Sequence, residues 1–381
     1  MSGVAGLTVL TNVGGINGTL EFDRRGRITF ADLSSNLSIN GVTYRLENNL
    51  KTLAYDIARG PKEAYALADV FDASGDGVNT SSPIEATFEG TFSGLGNVIS
   101  NLTVIDNTQY DSVGLFYHIA KPGTLNAVRL SHVVMQGRDS VGGLAALSDG
   151  TVNGSEMSGR LVGGMTGGLV GQNNGKVEFS HATASIRTLV NAGSGGLVGY
   201  NTGTIERSWA AGAISGYDAT SAGGLVGANS GHIAGDFSTD TVGCDNYCGG
   251  LCASNTGTVV NSYATGPVSN RTNSFDVGGF IGINYGTADT SYSTGRVKGD
   301  HGDVGGFFGA DRGSAESSYW DTDTSGTDVG SGDGDESGIT GLTTKQLQSG
   351  LPNGFDPKVW AENSNINGGL PYLINNLPPA K

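Results

Sequence analysis

Charge is scarce in this sequence. Only 15% of its 381 residues are Asp, Glu, Lys or Arg, against a usual share of about 25%. The few charges lean acidic: 36 Asp and Glu stand against 21 Lys and Arg, for a formal net charge of −15. No cluster of Lys and Arg is present, so nucleic acid is excluded as a partner and anionic membranes are disfavoured. Proline is also rare, at 9 residues, and without a Gly-X-Y period the chain is not collagen. Three cysteines, Cys244, Cys248 and Cys252, are too few for a disulfide scaffold. No run of 18 apolar residues occurs, so no membrane-spanning helix and no membrane insertion are expected. Residues 1–11 lack a basic n-region and a full apolar h-region, unlike a signal peptide. If the protein is exported, the sequence reads as an internal piece of a longer chain.

Glycine, by contrast, is abundant. It supplies 65 residues in a chain that is still 37% hydrophobic, a composition of many short strands joined by tight turns. The phrase Gly-Gly-Leu-Val-Gly recurs around anchors at Leu144, Leu169, Leu197, Leu225, Leu251, Phe280 and Phe307, spaced by 25, 28, 28, 26, 29 and 27 residues, with Leu115 beginning the series. Four residues past the regular anchors stand Ser148, Asn173, Asn201, Asn229, Asn255, Asn284 and Asp311. Further fixed offsets bring an apolar column (Val152 to Ala315), a Ser column (Ser155 to Ser318) and a second apolar column (Leu161 to Val297). All length variation falls between that last column and the next anchor.

A unit this short cannot bury a face alone, but stacked on copies of itself it builds a continuous core. The period suits three short strands and three turns, one coil of an all-β, right-handed parallel β-solenoid with about 25–29 residues per coil, coils lying about 4.8 Å apart. It is too short for a four-stranded propeller blade. No 3.6-residue periodicity supports an α-solenoid. Like residues then stack as Leu, Val/Ile and Asn ladders, and the variable segments 187–194, 215–222, 243–247, 269–276 and 298–303 gather on one edge.

Three regions follow: 1–80 as N-terminal strands and a capping helix, 81–320 as the repeat solenoid, and 321–381 as an acidic loop and C-terminal cap. Leu50, Leu53, Ala54 and Ile57 follow helical spacing and stop at Gly60-Pro61. Residues 342–347 read as a capped helical turn, and the segment with Phe355, Trp360 and Leu370-Pro371-Tyr372-Leu373 reads as a lid.

Catalytic chemistry finds little footing. Glycoside hydrolysis requires paired carboxylates, yet Asp236 sits between Ser208 and Ser262 in its column and Asp311 follows Asn residues. Asp321-Thr322-Asp323 resembles the first half of a calcium loop, but its twelfth position is Gly332, where a bidentate Glu is required; a solvated acidic loop is the plainer reading. The Cys spacing lacks a fourth zinc ligand, leaving a Cys244–Cys248 disulfide that closes the variable loop, or separate thiols. Trp209, Phe237, Tyr263, Tyr292 and Tyr319 follow the Ser column and stack along the axis, either against a packed face or as an exposed ladder for sugars. The five His are scattered. No catalytic, cofactor or metal residue is assigned, and the expectation is that the chain is not an enzyme.

The phrases Gly168-Leu169-Val170-Gly171, Gly196-Leu197-Val198-Gly199 and Gly224-Leu225-Val226-Gly227 resemble the GLUG motif. Tyr65-Ala66-Leu67-Ala68, Phe88-Glu89-Gly90-Thr91-Phe92-Ser93-Gly94-Leu95-Gly96, Ile99-Ser100-Asn101-Leu102, Ser318-Tyr319-Trp320-Asp321 and Gly341-Leu342-Thr343-Thr344 are similar to flanking phrases of filamentous-haemagglutinin-like bacterial adhesins. The resemblance implies a β-helical adhesin, extracellular or on the bacterial surface, that attaches to a host or neighbouring cell through a glycan or matrix component. It carries no catalytic residues and implies no cofactor. Cys252-Ala253 in place of Val-Gly, and Phe280 and Phe307 in place of Leu, depart from the pattern locally. The alternative is a glycan-binding or glycan-cleaving β-helix. Binding residues concentrate on loops held by a rigid frame, so Tyr217, Arg271 and Phe275 on the variable edge are the candidate contacts.

Overall fold

The computed structural model describes residues 6–12, 18, 20–22, 26–108, 112–189, 193–216, 220–270, 275–300 and 303–379. It is a right-handed β-solenoid of about 11 turns, with mostly parallel strands. One coil shows the plan: Gly193–Gly195, Val198–Asn201, Thr204–Glu206 and Trp209–Gly216 are successive strands. Each pairs with its counterpart in the next coil, giving sheets of seven, nine, thirteen and sixteen strands. The coil thus has four strands where three were expected. The extra one is the short strand before the anchor, folded off from its successor at Gly196-Leu197.

That corner explains the repeated glycines. The second Gly faces a column of small interior side chains, Ala182, Ala210, Ser238, Ala264 and Ser293, on the opposite sheet. A Cβ on Gly196 would lie 2.2 Å from the Gly224 carbonyl and 2.8 Å from Ala210 Cβ. Only glycine permits this approach. The anchors stack as expected: Leu169 N–H donates to Leu197 O, Leu197 to Leu225, Leu225 to Leu251 and Leu251 to Phe280, at 2.8–2.9 Å. All are fully buried, and burying each such side chain contributes about 1.5–3 kcal/mol.

Two polar ladders tie the corners. Asn173, Asn201, Asn229, Asn255 and Asn284 each donate from Nδ2 to Oδ1 of the next member, ending on Asp311, at 2.8–2.9 Å. Asn Oδ1 also accepts from backbone two residues on, as in Gly231 N–H to Asn229 at 3.2 Å, so buried amides are satisfied. In the Ser column, Ser155, Ser180 and Ser262 each donate their backbone N–H to the next Ser Oγ at 3.1 Å. These Ser follow a left-handed corner, occupied by Phe179 (φ 50°), Arg207 (φ 49°) and Asn261 (φ 49°). Such backbone is strained for non-glycine residues and is held there by the Ser bonds.

The helix Leu50–Arg59 is capped by Asn49, and its Leu50, Leu53 and Ile57 close the N-terminal end of the core. Parallel pairing is present before residue 81, in Gly6–Val9 on Asn36–Ile39 and in Val42–Glu47 on Ala64–Leu67. At the other end the acidic segment is not a free loop. Ser331–Gly334 pairs with Phe308–Asp311, and Ile339–Leu342 pairs with Ser318–Asp321. Its Gly content lets it complete a last coil, and its carboxylates bind local N–H groups: Glu336 accepts from Gly330 and Ser331, Asp335 from Ser337.

Candidate functional site

The outer face of the sixteen-stranded sheet carries the column that follows the Ser ladder. Downstream it is a stack of rings. Trp209–Phe237, Phe237–Tyr263 and Tyr263–Tyr292 centroids lie 5.7, 4.8 and 5.1 Å apart, with planes within 8° of parallel. One residue per coil sets this spacing. The C-terminal segment 343–377 folds back along the stack as a strap. Leu347, Phe355, Trp360 and Leu373 bury Phe237, Tyr263, Tyr292 and Tyr319. Two of the three tyrosine hydroxyls find partners in the strap: Tyr292 OH donates to Pro371 O at 2.6 Å and Tyr319 OH to Asn353 O at 2.7 Å. Asn376 Nδ2 donates to Ser208 O and Gly235 O. The ladder is thus mostly covered, and Trp209 is only partly buried.

Upstream, the same column holds His181, Glu156 and Arg129. His181 stacks on Trp209 at 4.3 Å, 9° from parallel. Its Nε2 lies 3.1 Å from Glu156 Oε2, and Glu156 Oε1 lies 2.8 Å from Arg129 Nε. Arg129 is nearly buried and donates to the carbonyls of Phe22, Gly26 and Gly96. A cleft of about 180 Å³ opens here, lined by Phe22, Asn153, Glu156, Phe179 and His181 among others. A second depression of about 190 Å³ lies between Arg207, Gly235 and the strap's Leu373 and Asn376. Arg207 sits over the Phe179 ring at 5.0 Å, joining the two. Sequence reading missed His181, Glu156 and Arg129 because they are not aromatic-ring repeats. The signal was present: they occupy the column offset of Trp209.

The expected edge is only partly described. Tyr217 and Arg271 lie outside the described residues. Phe275 is 62% exposed, with its ring 6.4 Å from that of Tyr247. Cys244 and Cys248 are joined in a disulfide across a Cα–Cα distance of 5.9 Å. Cys252 is buried, and burial pushes its thiol up to about 12. Nearby, Asp276 pairs in register with Asp303. Burial first, then the Asp303 charge, raises its carboxyl to about 6, against the pull of Arg312.

Asp236 and Asp240 are enclosed. Asp236 replaces Ser in its ladder and accepts from Ser208 N–H at 2.6 Å and Ala234 N–H at 2.9 Å. Burial still drives it well above the usual carboxylate range. Asp240 faces the interior beside Ser238 and is raised likewise by burial. In the calcium-like segment, Asp321 accepts from Asp323 N–H, Thr324 N–H and Thr344 Oγ1, and Asp323 accepts from Thr344 N–H. Among the described residues no three His, Cys, Asp or Glu side chains converge on a point that would hold a metal ion.

No family model matches the chain, so the likeness to GLUG repeats and adhesins rests on the quoted phrases. A stretch of 134 residues is 32% identical to Halomucin of Haloquadratum walsbyi, covering 32% of this chain and 2% of Halomucin. The chain therefore spans a small fraction of that relative. Among solved structures, it is similar to a candidate immunoglobulin A1 protease from Bacteroides ovatus, at 16% identity and a TM-score of 0.43, over 88% of this chain and 92% of that one. A structure named IgA1 protease is 18% identical with a TM-score of 0.41, over 76% of this chain and 20% of that one. The expectation that the chain is not an enzyme is overturned by these names, which are those of a protease. At these identities and TM-scores no fold and no residue role is carried across.

Proposed function

We propose that this chain is a rod-like segment of a secreted or surface-attached protein that mediates attachment, binding a glycan or matrix component of a host or neighbouring cell. The observation that carries the reading is the division between frame and edge. The regular coils share fixed Asn and Ser ladders, while in the sequence all length variation falls between the second apolar column and the next anchor. In-register pairing of the strands on both sides brings the two ends of each variable segment to the same side of the rod in successive coils. A rigid frame with one tolerant edge suits recognition. The stretch similar to Halomucin favours a secreted or surface-exposed protein. The Cys244–Cys248 pair suits an oxidising compartment. Thiol titration of the denatured, non-reduced protein should find one thiol, Cys252; three would remove that support.

The experiment is an array of glycans and host-matrix proteins probed with the purified chain. Saturable capture, weakened when loops 215–222 and 269–276 are shortened without loss of the β-sheet spectrum, supports the edge with Tyr217, Arg271 and Phe275 as contacts. Unchanged capture rejects that edge. The absence of any capture rejects attachment. Cleavage of captured ligands is read on the same array.

A further inference from the structure

We propose that the cleft at the open end of the aromatic ladder, between Phe22, Phe179 and His181, binds a neutral or N-acetylated sugar ring. The inference rests on the attachment reading and names a site for it away from the variable edge. Its basis is the break in the column. Rings follow each other from Tyr292 back to His181 at centroid distances of 4.3–5.7 Å. The next two positions are Glu156 and Arg129, which place no ring over His181. Glu156 meets His181 at the edge nitrogen Nε2, so the imidazole face turned away from Trp209 has no ring partner among the described residues. His181 and Glu156 side chains keep 31% and 30% of their exposure.

The cleft that His181 lines measures about 180 Å³, comparable with cavities of roughly 150 Å³ that hold a six-membered ring. Its walls combine the apolar rings of Phe22 and Phe179 with the polar groups of Glu21, Asn153 and Glu156. Apolar walls with a few placed polar groups are the usual make-up of a small-ligand site. A sugar ring offers both surfaces: C–H groups for the imidazole and phenyl faces, and hydroxyls for a carboxylate and an amide. The two carboxylates at the rim and the net charge of −15 disfavour phosphate and uronate ligands. Arg129 is committed to Glu156 and three carbonyls, so it positions the carboxylate rather than inviting an anion. The second depression beside Arg207 lies in line for a further residue of a linear glycan.

The test titrates the full chain with the methyl glycosides of galactose, glucose, mannose and N-acetylglucosamine, following the His181 imidazole by NMR in the native chain and, in the native chain and every variant, the saturation-transfer signal of the glycoside itself. The imidazole signal is assigned by its loss in His181→Ala. A saturable shift with millimolar affinity is expected for at least one glycoside. His181→Ala should weaken binding about tenfold or more, a loss of about 1.4 kcal/mol, whereas His181→Phe should restore it by keeping a ring face. No saturable shift with any of the four, or equal affinity in His181→Ala, overturns the proposal. The array separates it from the broader reading. Capture that survives His181→Ala but not loop shortening sinks the cleft and leaves attachment standing. A glycoside bound at His181 with no capture on the array does the reverse.

Discussion

One column of side chains has two fates along its length. From Phe237 to Tyr319 its rings are buried beneath the C-terminal strap, whereas Arg129, Glu156 and His181 line an open cleft. The backbone is the same in both stretches, paired in register from coil to coil. What differs is the side-chain chemistry and whether a segment from elsewhere lies over it. The covered half shows how a β-solenoid hides an apolar outer face, which would otherwise be an adhesive or aggregation-prone surface. The open half shows where such a face can stay available because its groups are polar and paired, Glu156 lying between Arg129 and His181.

The comparison can be broken from inside first. Leu197→Asp places a charge in the anchor column between Leu169 and Leu225, with no partner to offset desolvation. Both halves should be lost together, read as a collapse of the β-sheet circular dichroism signal; a folded variant with normal melting would contradict the continuous core.

Trp360→Ala attacks the cover alone. The indole packs on Phe355, Tyr263 and Tyr292 and donates to Asn261 Oδ1 at 3.1 Å. Truncating such a buried ring costs about 3–5 kcal/mol. The strap should become protease-sensitive while the solenoid keeps its far-UV spectrum. Cooperative loss of the whole fold would show that the strap is integral to the rod.

Asn229→Ala should act more mildly. It leaves Asn201 Nδ2 without its Oδ1 acceptor, Asn255 Oδ1 without a neighbour's donor on that side, and Gly231 N–H unpaired. Each buried group left unsatisfied costs about 1–3 kcal/mol. Thermal melting should fall clearly, and an unchanged midpoint would mean that the ladder is ornamental to stability.

The smallest effect concerns pH. Asp276 is raised to about 6 by burial and by Asp303, above the unfolded value of about 4. A raised carboxyl binds its proton more tightly when folded. Its contribution is therefore fully present below pH of about 4 and lost as pH climbs through about 6. Asp276→Asn should flatten the decline in stability between those values, measured by denaturation at a series of pH. An unchanged pH profile would rule out this pair as its source.

Much of this was legible in the sequence. The anchors at Leu169, Leu197, Leu225 and Leu251, the Asn and Ser ladders, the ring column and the helix at Leu50–Arg59 all follow from period and offset. The fourth strand was missed because Gly-Ser-Gly and its equivalents show no apolar alternation. The acidic segment was misjudged because its Gly and Asp composition reads as a loop, although pairing with the preceding coil orders it.

By itself, the sequence determined the coil and its stacking, because in a solenoid each coil touches only its neighbours and the repeat period is the spatial contact. Only the tertiary structure decided which face the strap covers and where the cleft opens. Those contacts join residues such as Trp360 and Asn261, 99 apart, and Asn376 and Ser208, 168 apart. They belong to no period, and the apolar and polar groups that meet there carry no spacing from which the pairing could be read.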